Sequence, residues 1–343
     1  MKPITPRIQF IDLMKGICII TVVIRHLHPG LFSGQIGVTI YAVQVPVFFF
    51  LSGSLESSKY DTTKNIAVKN INRILIPYIF WFAIGIIIFL PSEYLAFYKS
   101  QPVTGDSLFN NAKNFFLTPG KHLITNYPCW FLLALFEMKM FILVIDKFSI
   151  RCKVKPVLQY VFIAVLVASV YRLCLKGVVL PFSVSSAVIT LPFFYVGRLL
   201  KSTLLRSTEI QKRYKIQLIS FSVISCFLLY FFMETFDSNN CIIPSNILIT
   251  YLLLFSGIVV MYTLSLLVDH IIMINYMGAN SIVLLVTHVI VANLLPVTLS
   301  LYATLAITFC ICILLVPLCN KLLPYFVGKK DLISFKSQIR QHS

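Results

Sequence analysis

The sequence predicts an all-α polytopic membrane protein of about ten transmembrane helices, with the N- and C-termini cytoplasmic. Three observations predict it. The 343 residues are 58% hydrophobic and only 12% charged, roughly half the charged share of a soluble domain. Apolar runs of about 17 to 22 residues, enough to cross a hydrocarbon core, recur from end to end. The basic residues behind a formal net charge of +17 sit in short clusters between those runs, where cytoplasmic loops carry them.

Taken in order, the runs are 9–28, 35–55, 74–90, 129–146, 156–173, 184–200, 216–233, 247–268, 278–296 and 299–318. The first follows the basic start MKPITPRIQF and has no small-residue cleavage site behind it, so it is expected to be retained as a helix. Basic segments then fall after the second, fourth, sixth and tenth runs, at 59–73, 147–155, 198–215 and 321–340. Together with 2–15 they hold 22 of the 29 Lys and Arg residues. Only cytoplasmic termini put these segments on the inner side. The longest interval on the other side, about 91–128, is polar and aromatic, and long enough to help form an extracytoplasmic pocket. A membrane domain is expected over 1–320 and a solvated basic cytoplasmic tail over 321–343.

Several function classes drop out. No basic patch is interleaved with exposed aromatics, so the charge does not point to nucleic acid; the surrounding partner is membrane lipid. The nine cysteines lie mostly inside apolar runs, with no CxxC pair and no Cys/His ligand spacing. They read as small apolar fillers, and no metal site or disulfide framework follows from them. No internal repeat, nucleotide loop or glycosyltransferase-like acidic pair is present.

The chemistry concentrates in IDLMKGICIITVVIRHLHPG, residues 11–30, which runs like a membrane helix yet carries Asp12, Lys15, Arg25, His26 and His28. Residues eleven apart on a helix differ by about three turns plus 20° and rise about 16 Å. Lys15 and His26 therefore share a face at different depths, and Asp12 is close enough to pair with Lys15. An ionisable group within a membrane helix faces the protein interior and marks a site. Histidine titrates near neutrality, which suits a general base. Arg25 and His28 read as the far end of the helix.

Further along, Trp130 is placed to stack on a sugar or to sit in an interfacial belt, and Glu137 lies within the fourth run. Glu137 is a site candidate by the same cost argument. His122 reads as a surface residue of the outer loop. His288 stands eight residues beyond Asn280, about 12 Å up its helix, at a depth similar to that of His26. It has three readings: it orients the base, polarises a carbonyl, or fills a buried hydrogen bond. Asn280 and Ser281 read as helix caps.

Six stretches, in this order, resemble the acyltransferase 3 family of integral-membrane O-acyltransferases. They are Asp12 with Lys15–X10–His26, PVFFFLSG at 46–53, KNINRILIPY at 69–78, CWFLLALF at 129–136, LPFFYVGRLLK at 191–201 and GANSIVLLVTH at 278–288. The resemblance covers about residues 8–320. It implies transfer of an acetyl group from acetyl-CoA, supplied from the cytoplasm, to a sugar hydroxyl. The acceptor would be a surface polysaccharide or its lipid-linked precursor, and the location the bacterial cytoplasmic membrane. It implies catalytic roles for His26, Asp12 and His288, and donor binding by Lys15, Arg73 and Lys69. Trp130, Glu137 and Ser52 are the residues expected to bind substrate. Succinyl transfer and export of a polysaccharide or lipid-linked sugar are the alternatives. The attacking hydroxyl loses its proton to His26, or an acyl-histidine forms; the sequence leaves both open. Two positions depart from the family pattern. Lys15 stands where many members have arginine, and Asn70, Ile71 and Asn72 precede a single Arg73 where two arginines are common. Lys69 shares a helical face with Arg73 at i, i+4 but lacks the guanidinium fork.

Overall fold

The computed structural model describes residues 9–56, 63–100, 126–205, 207–268, 270–296 and 298–334. Every extended regular element among them is helical; the single bridge between Asp237 and Ile242 closes a turn. The helices are α1 (Gln9–Leu27), α2 (Gly34–Ser54), α3 (Thr63–Asn70), α4 (Ile76–Ser100), α5 (Trp130–Arg151), α6 (Pro156–Leu175) and α7 (Val184–Leu199). After a short helix at Lys201–Leu205 come α8 (Ser207–Phe232), α9 (Ile247–Val268), α10 (Ile272–Ala279), α11 (Ser281–Leu294) and α12 (Leu301–Leu322). A π-helical turn, Ile71–Leu75, joins α3 to α4, and a 3-10 turn, Tyr127–Cys129, leads into α5.

Among the described residues seven helices are long and apolar enough to cross a membrane, and an eighth if α10 and α11, bent by 86°, form one span. The expected count of about ten is larger because it includes α1 and α7. Helix α1 carries Asp12, Lys15 and Arg25 among its 19 residues, and α7 is only 16 residues long. The expected third span also starts earlier and ends later, since α3, the π turn and α4 run on as helix from Thr63 to Ser100.

Helices α1, α2, α7 and α11 form the centre of the bundle. Leu13, Met14, Phe49, Leu51, Phe193, Phe194 and Leu284 are all fully buried. The periphery turns large apolar side chains outward, among them Phe162 of α6, Phe227 of α8 and Leu314 of α12. Without a hydrophobic force between helices in lipid, close backbone approach through small residues holds such bundles together. Here Gly53 and Gly197 let α2 and α7 touch. A Cβ at Gly53 would lie 2.0 Å from the Phe194 carbonyl oxygen, and one at Gly197 would lie 2.0 Å from that of Phe50. Most of PVFFFLSG and LPFFYVGRLLK therefore serves this crossing.

The start of α1 packs against α10 with the same intimacy. A Cβ at Gly278 would overlap the Asp12 carbonyl oxygen, and Asn275 donates to the Gln9 carbonyl at 2.8 Å. The break between α10 and α11 falls at Asn280. Its amide nitrogen donates to the Tyr276 carbonyl, and its amide oxygen accepts from Asn320 at 3.1 Å and Lys329 at 2.9 Å. Asn280 thus ties the bend to α12 and to the segment after it, and its side chain makes no bond that caps the start of α11.

That segment differs from the expected solvated tail. The boundary at 320 falls inside α12, and residues 324–334 fold back onto the π turn. Asn72 donates to the Ile333 carbonyl and accepts from the Leu332 and Ile333 N–H groups at 2.8 to 2.9 Å. Trp81 donates to the Phe326 carbonyl at 2.9 Å, and the Phe80 and Phe326 rings stack 3.9 Å apart. A buried asparagine and an indole that find backbone partners hold the segment down. The rest of the tail, 335–343, lies outside the described residues.

Candidate active site

A cavity of about 460 Å³ opens where the end of α1 meets α2, the start of α5, α11 and the turn 236–240. The 236–240 turn is stapled in place. Arg25 reaches across from α1 to Asp237, Nη2 to Oδ2 at 3.0 Å, and its guanidinium lies 5.3 Å from the Tyr41 ring centroid. Asp237 also accepts from the Asn239 and Asn240 N–H groups and from the Asn240 amide. One carboxylate thus folds the turn and fixes it to α1.

His26 lies on the cavity wall, half-buried. The Tyr127 ring meets it edge-on, with centroids 4.8 Å apart and planes at 74°, and the His288 ring stacks on it at 5.3 Å and 29°. His288 is fully buried, and its Nδ1 contacts the Leu284 carbonyl oxygen at 2.8 Å. A carbonyl only accepts, so Nδ1 carries the proton and Nε2 keeps its lone pair. No partner for that Nε2 is found among the described residues. Asn126 anchors the Tyr127 turn by donating to the Val286 carbonyl of α11 at 2.7 Å. The turn that places Tyr127 is thus fixed to the helix that places His288.

Trp130 lines the same cavity, with Phe48, Phe131 and Phe236 supplying further apolar wall. Polar groups on one side and aromatic faces on the other make a chamber suited to a ring that is apolar on its face and polar at its edge.

With this geometry in view, the comparison with protein families gives a match: the family described as an acyltransferase domain covers residues 8–319. The chain belongs to the acyltransferase 3 family. No match is found among curated proteins or among solved structures. The chain is therefore a membrane acyltransferase, and the placement of the expected residues can be read in that light.

In this acyltransferase His26 and Trp130 line the cavity, and His288 stacks on His26 from behind its wall. The other expected residues do neither. Asp12, buried, and Lys15, half-buried, lie three turns or more away at the start of α1, about 16 Å or more along the helix axis. Arg73 and Lys69 belong with them at that basic end of the bundle. Arg73 donates from Nε to Asp331 at 2.9 Å and from Nη1 to the Gly328 carbonyl at 2.6 Å. The i, i+4 face expected for Lys69 and Arg73 assumes α geometry, whereas Arg73 sits in the π turn, where the wider coil shifts the register. Ser52 lies near the same end of α2, half-buried, where the Gly53–Gly197 crossing accounts for its surroundings. Glu137 stands seven residues beyond Trp130, outside the cavity wall, with one carboxylate oxygen unpartnered among the described residues. Among the described residues no three His, Cys, Asp or Glu side chains converge as a metal site would require. His122 lies outside the described residues.

Arg25, Tyr41, Gln44, Tyr127 and the 236–240 turn were missed by sequence reasoning. Arg25 had a signal, its place beside His26 one turn from the helix end. The polar run DSNN at 237–240 between two apolar stretches marks a turn, but nothing local says which helix that turn covers.

Proposed function

We propose that this membrane acyltransferase moves an acetyl group from acetyl-CoA to a hydroxyl of a surface-polysaccharide sugar or its lipid-linked precursor. Its place is the bacterial cytoplasmic membrane, with α1 and α7 also crossing to make ten spans and both termini cytoplasmic. The observation that carries the reading is His26 on the wall of an aromatic-lined cavity with His288 stacked behind it.

The acceptor hydroxyl enters from the 236–240 side. His26 takes its proton as the oxygen attacks the thioester carbonyl carbon. The carbon–sulfur bond then breaks, the ester forms, and the coenzyme A thiolate leaves and recovers the proton from the imidazolium. His288 holds the His26 ring in place. The donor's phosphates bind at the basic end, which suits them in charge. Among the described residues Arg73 uses two of its five N–H donors, on Gly328 and Asp331, and the others suit phosphate oxygens. Lys69 and Lys15 add positive charge there.

The test is mass spectrometry of surface polysaccharide from cells carrying the wild-type protein or His26→Ala at equal protein level. Loss of the acetyl mass increment in the variant is the expected result. An unchanged acetylated fraction sinks the assignment.

A further inference from the structure

Within the cavity one polar side chain is left unexplained by the chemistry above. Gln44 is only 4% exposed, lines the cavity, and its amide oxygen has no partner among the described residues. A buried amide oxygen without a hydrogen bond is costly, so its position calls for a donor that arrives with a ligand. Gln44 shares one face of α2 with Tyr41, Val45 and Phe48, the four spaced at i, i+3, i+4 and i+7, and all four line the cavity. Two residues on, Pro46 interrupts α2. It has no N–H to give the Ala42 carbonyl, and Ala42 is also a lining residue. This wall thus carries a buried acceptor, the Gln44 amide oxygen, that has no partner among the described residues.

The charge balance narrows the ligand. Among the described lining residues, apart from His26, the charged side chains are Arg25 and Asp237, and they neutralise each other at 3.0 Å. A cavity built to receive a carboxylate- or phosphate-bearing ring would leave a cation uncompensated. What remains is neutral: the Gln44 amide, the Asn239 and Asn240 side chains, and the Tyr41 and Tyr127 phenols.

We propose that Gln44 is a specificity-determining residue that accepts a hydrogen bond from a hydroxyl or amide N–H of an uncharged sugar acceptor. It thereby holds the neighbouring hydroxyl against His26. This rests on the acyl-transfer reading above and adds to it the acceptor's class and the residue that reads it. A site built to hydrogen-bond a substrate hydroxyl also rejects analogues that lack it, since the buried amide is then left unpaired.

The experiment uses the full-length protein in lipid nanodiscs, with acetyl-CoA as donor. Surface polysaccharide from the source cells, stripped of its esters by mild alkali, is the acceptor probe. Gln44→Met keeps the length of the side chain and removes its acceptor oxygen. It is expected to raise the KM for polysaccharide about tenfold while the KM for acetyl-CoA stays put. Gln44→Glu, which keeps an acceptor oxygen, should recover most of that loss. Gln44→Ala takes the place of the methionine variant if the latter does not assemble. An unchanged polysaccharide KM in Gln44→Met overturns the role of Gln44 alone, as does an equal rise in both KM values. Wild-type protein that transfers nothing to the polysaccharide overturns the acyl-transfer reading itself, and the inference with it.

Discussion

His26 and His288, 262 positions apart in the chain, stack with ring centroids 5.3 Å apart and planes only 29° from parallel. The Leu284 carbonyl holds the buried ring of the pair, His288, by its Nδ1 proton. The His288 ring thus lies against His26 from a helix that begins at the Asn280 bend, and its proposed role is to hold the His26 ring in place.

His288→Phe tests that role. Phenylalanine keeps a flat ring beside His26 but loses the bond to Leu284, so the ring turns freely. A small misplacement of a catalytic group is expected to lower kcat about tenfold to a hundredfold, with little change in either KM. Steady-state kinetics of the purified protein checks it. An unchanged kcat makes His288 a filler.

Arg25 and Asp237 are 28% and 17% exposed, so the pair itself is worth at most about 1 kcal/mol of stability. Its larger effect is expected on the acceptor, because Asp237 also folds the 236–240 turn. Asp237→Ala should raise acceptor KM and leave the thermal midpoint nearly where it was. In a cycle with Arg25→Ala, the two changes should be less than additive on acceptor KM. Fully additive effects exclude a shared role.

The helix crossing at Gly53 and Gly197 gives a prediction for stability. A methyl added at Gly53 meets the Phe194 backbone, which can yield only by parting α2 from α7. Gly53→Ala is expected to cost about 1–3 kcal/mol and to lower the midpoint in a fluorescence-detected size-exclusion melt. Gly30→Ala, whose Cβ meets nothing within 4 Å, serves as the neutral comparison. Equal midpoints for the two exclude a tight crossing.

Asp331 sets a fourth prediction. It places a negative charge 2.9 Å from the Arg73 guanidinium, where the donor's phosphates are proposed to bind. Asp331→Asn removes that charge and should lower the KM for acetyl-CoA a few-fold, more clearly at low salt. Arg73→Ala should raise it about tenfold. No response of donor KM to either change moves the donor site elsewhere.

Much of this was legible in the sequence because membrane helices are written in local terms. Each apolar run lies on a helix, since length and composition alone decide that class. The similar depth expected for His288 and His26 agrees with their stacked rings, although the contact itself depends on the bend at Asn280 that sets where α11 starts. Residues that depend on partners far along the chain were not legible. Arg25 looked like a helix end because Asp237 lies 212 residues away, and Gln44, one polar residue in an apolar run, drew no notice. Ser52 and Glu137 were drawn in by motif and by cost, yet neither reaches the cavity. A segment motif does not say which of its side chains points inward, and a carboxylate in a helix has more than one way to be buried.

The backbone of residues 324–334 lies on Asn72, Arg73 and Trp81, and the partners of Arg73 come 255 and 258 residues after it. A chain made from its N-terminus will have threaded nearly all its spans before the basic end acquires this cover. The helices that frame His26 can thus assemble while Arg73 still lacks Gly328 and Asp331, so the two ends of the enzyme mature at different times. A protein interrupted after α12 would keep its chamber and lose the order of its basic mouth.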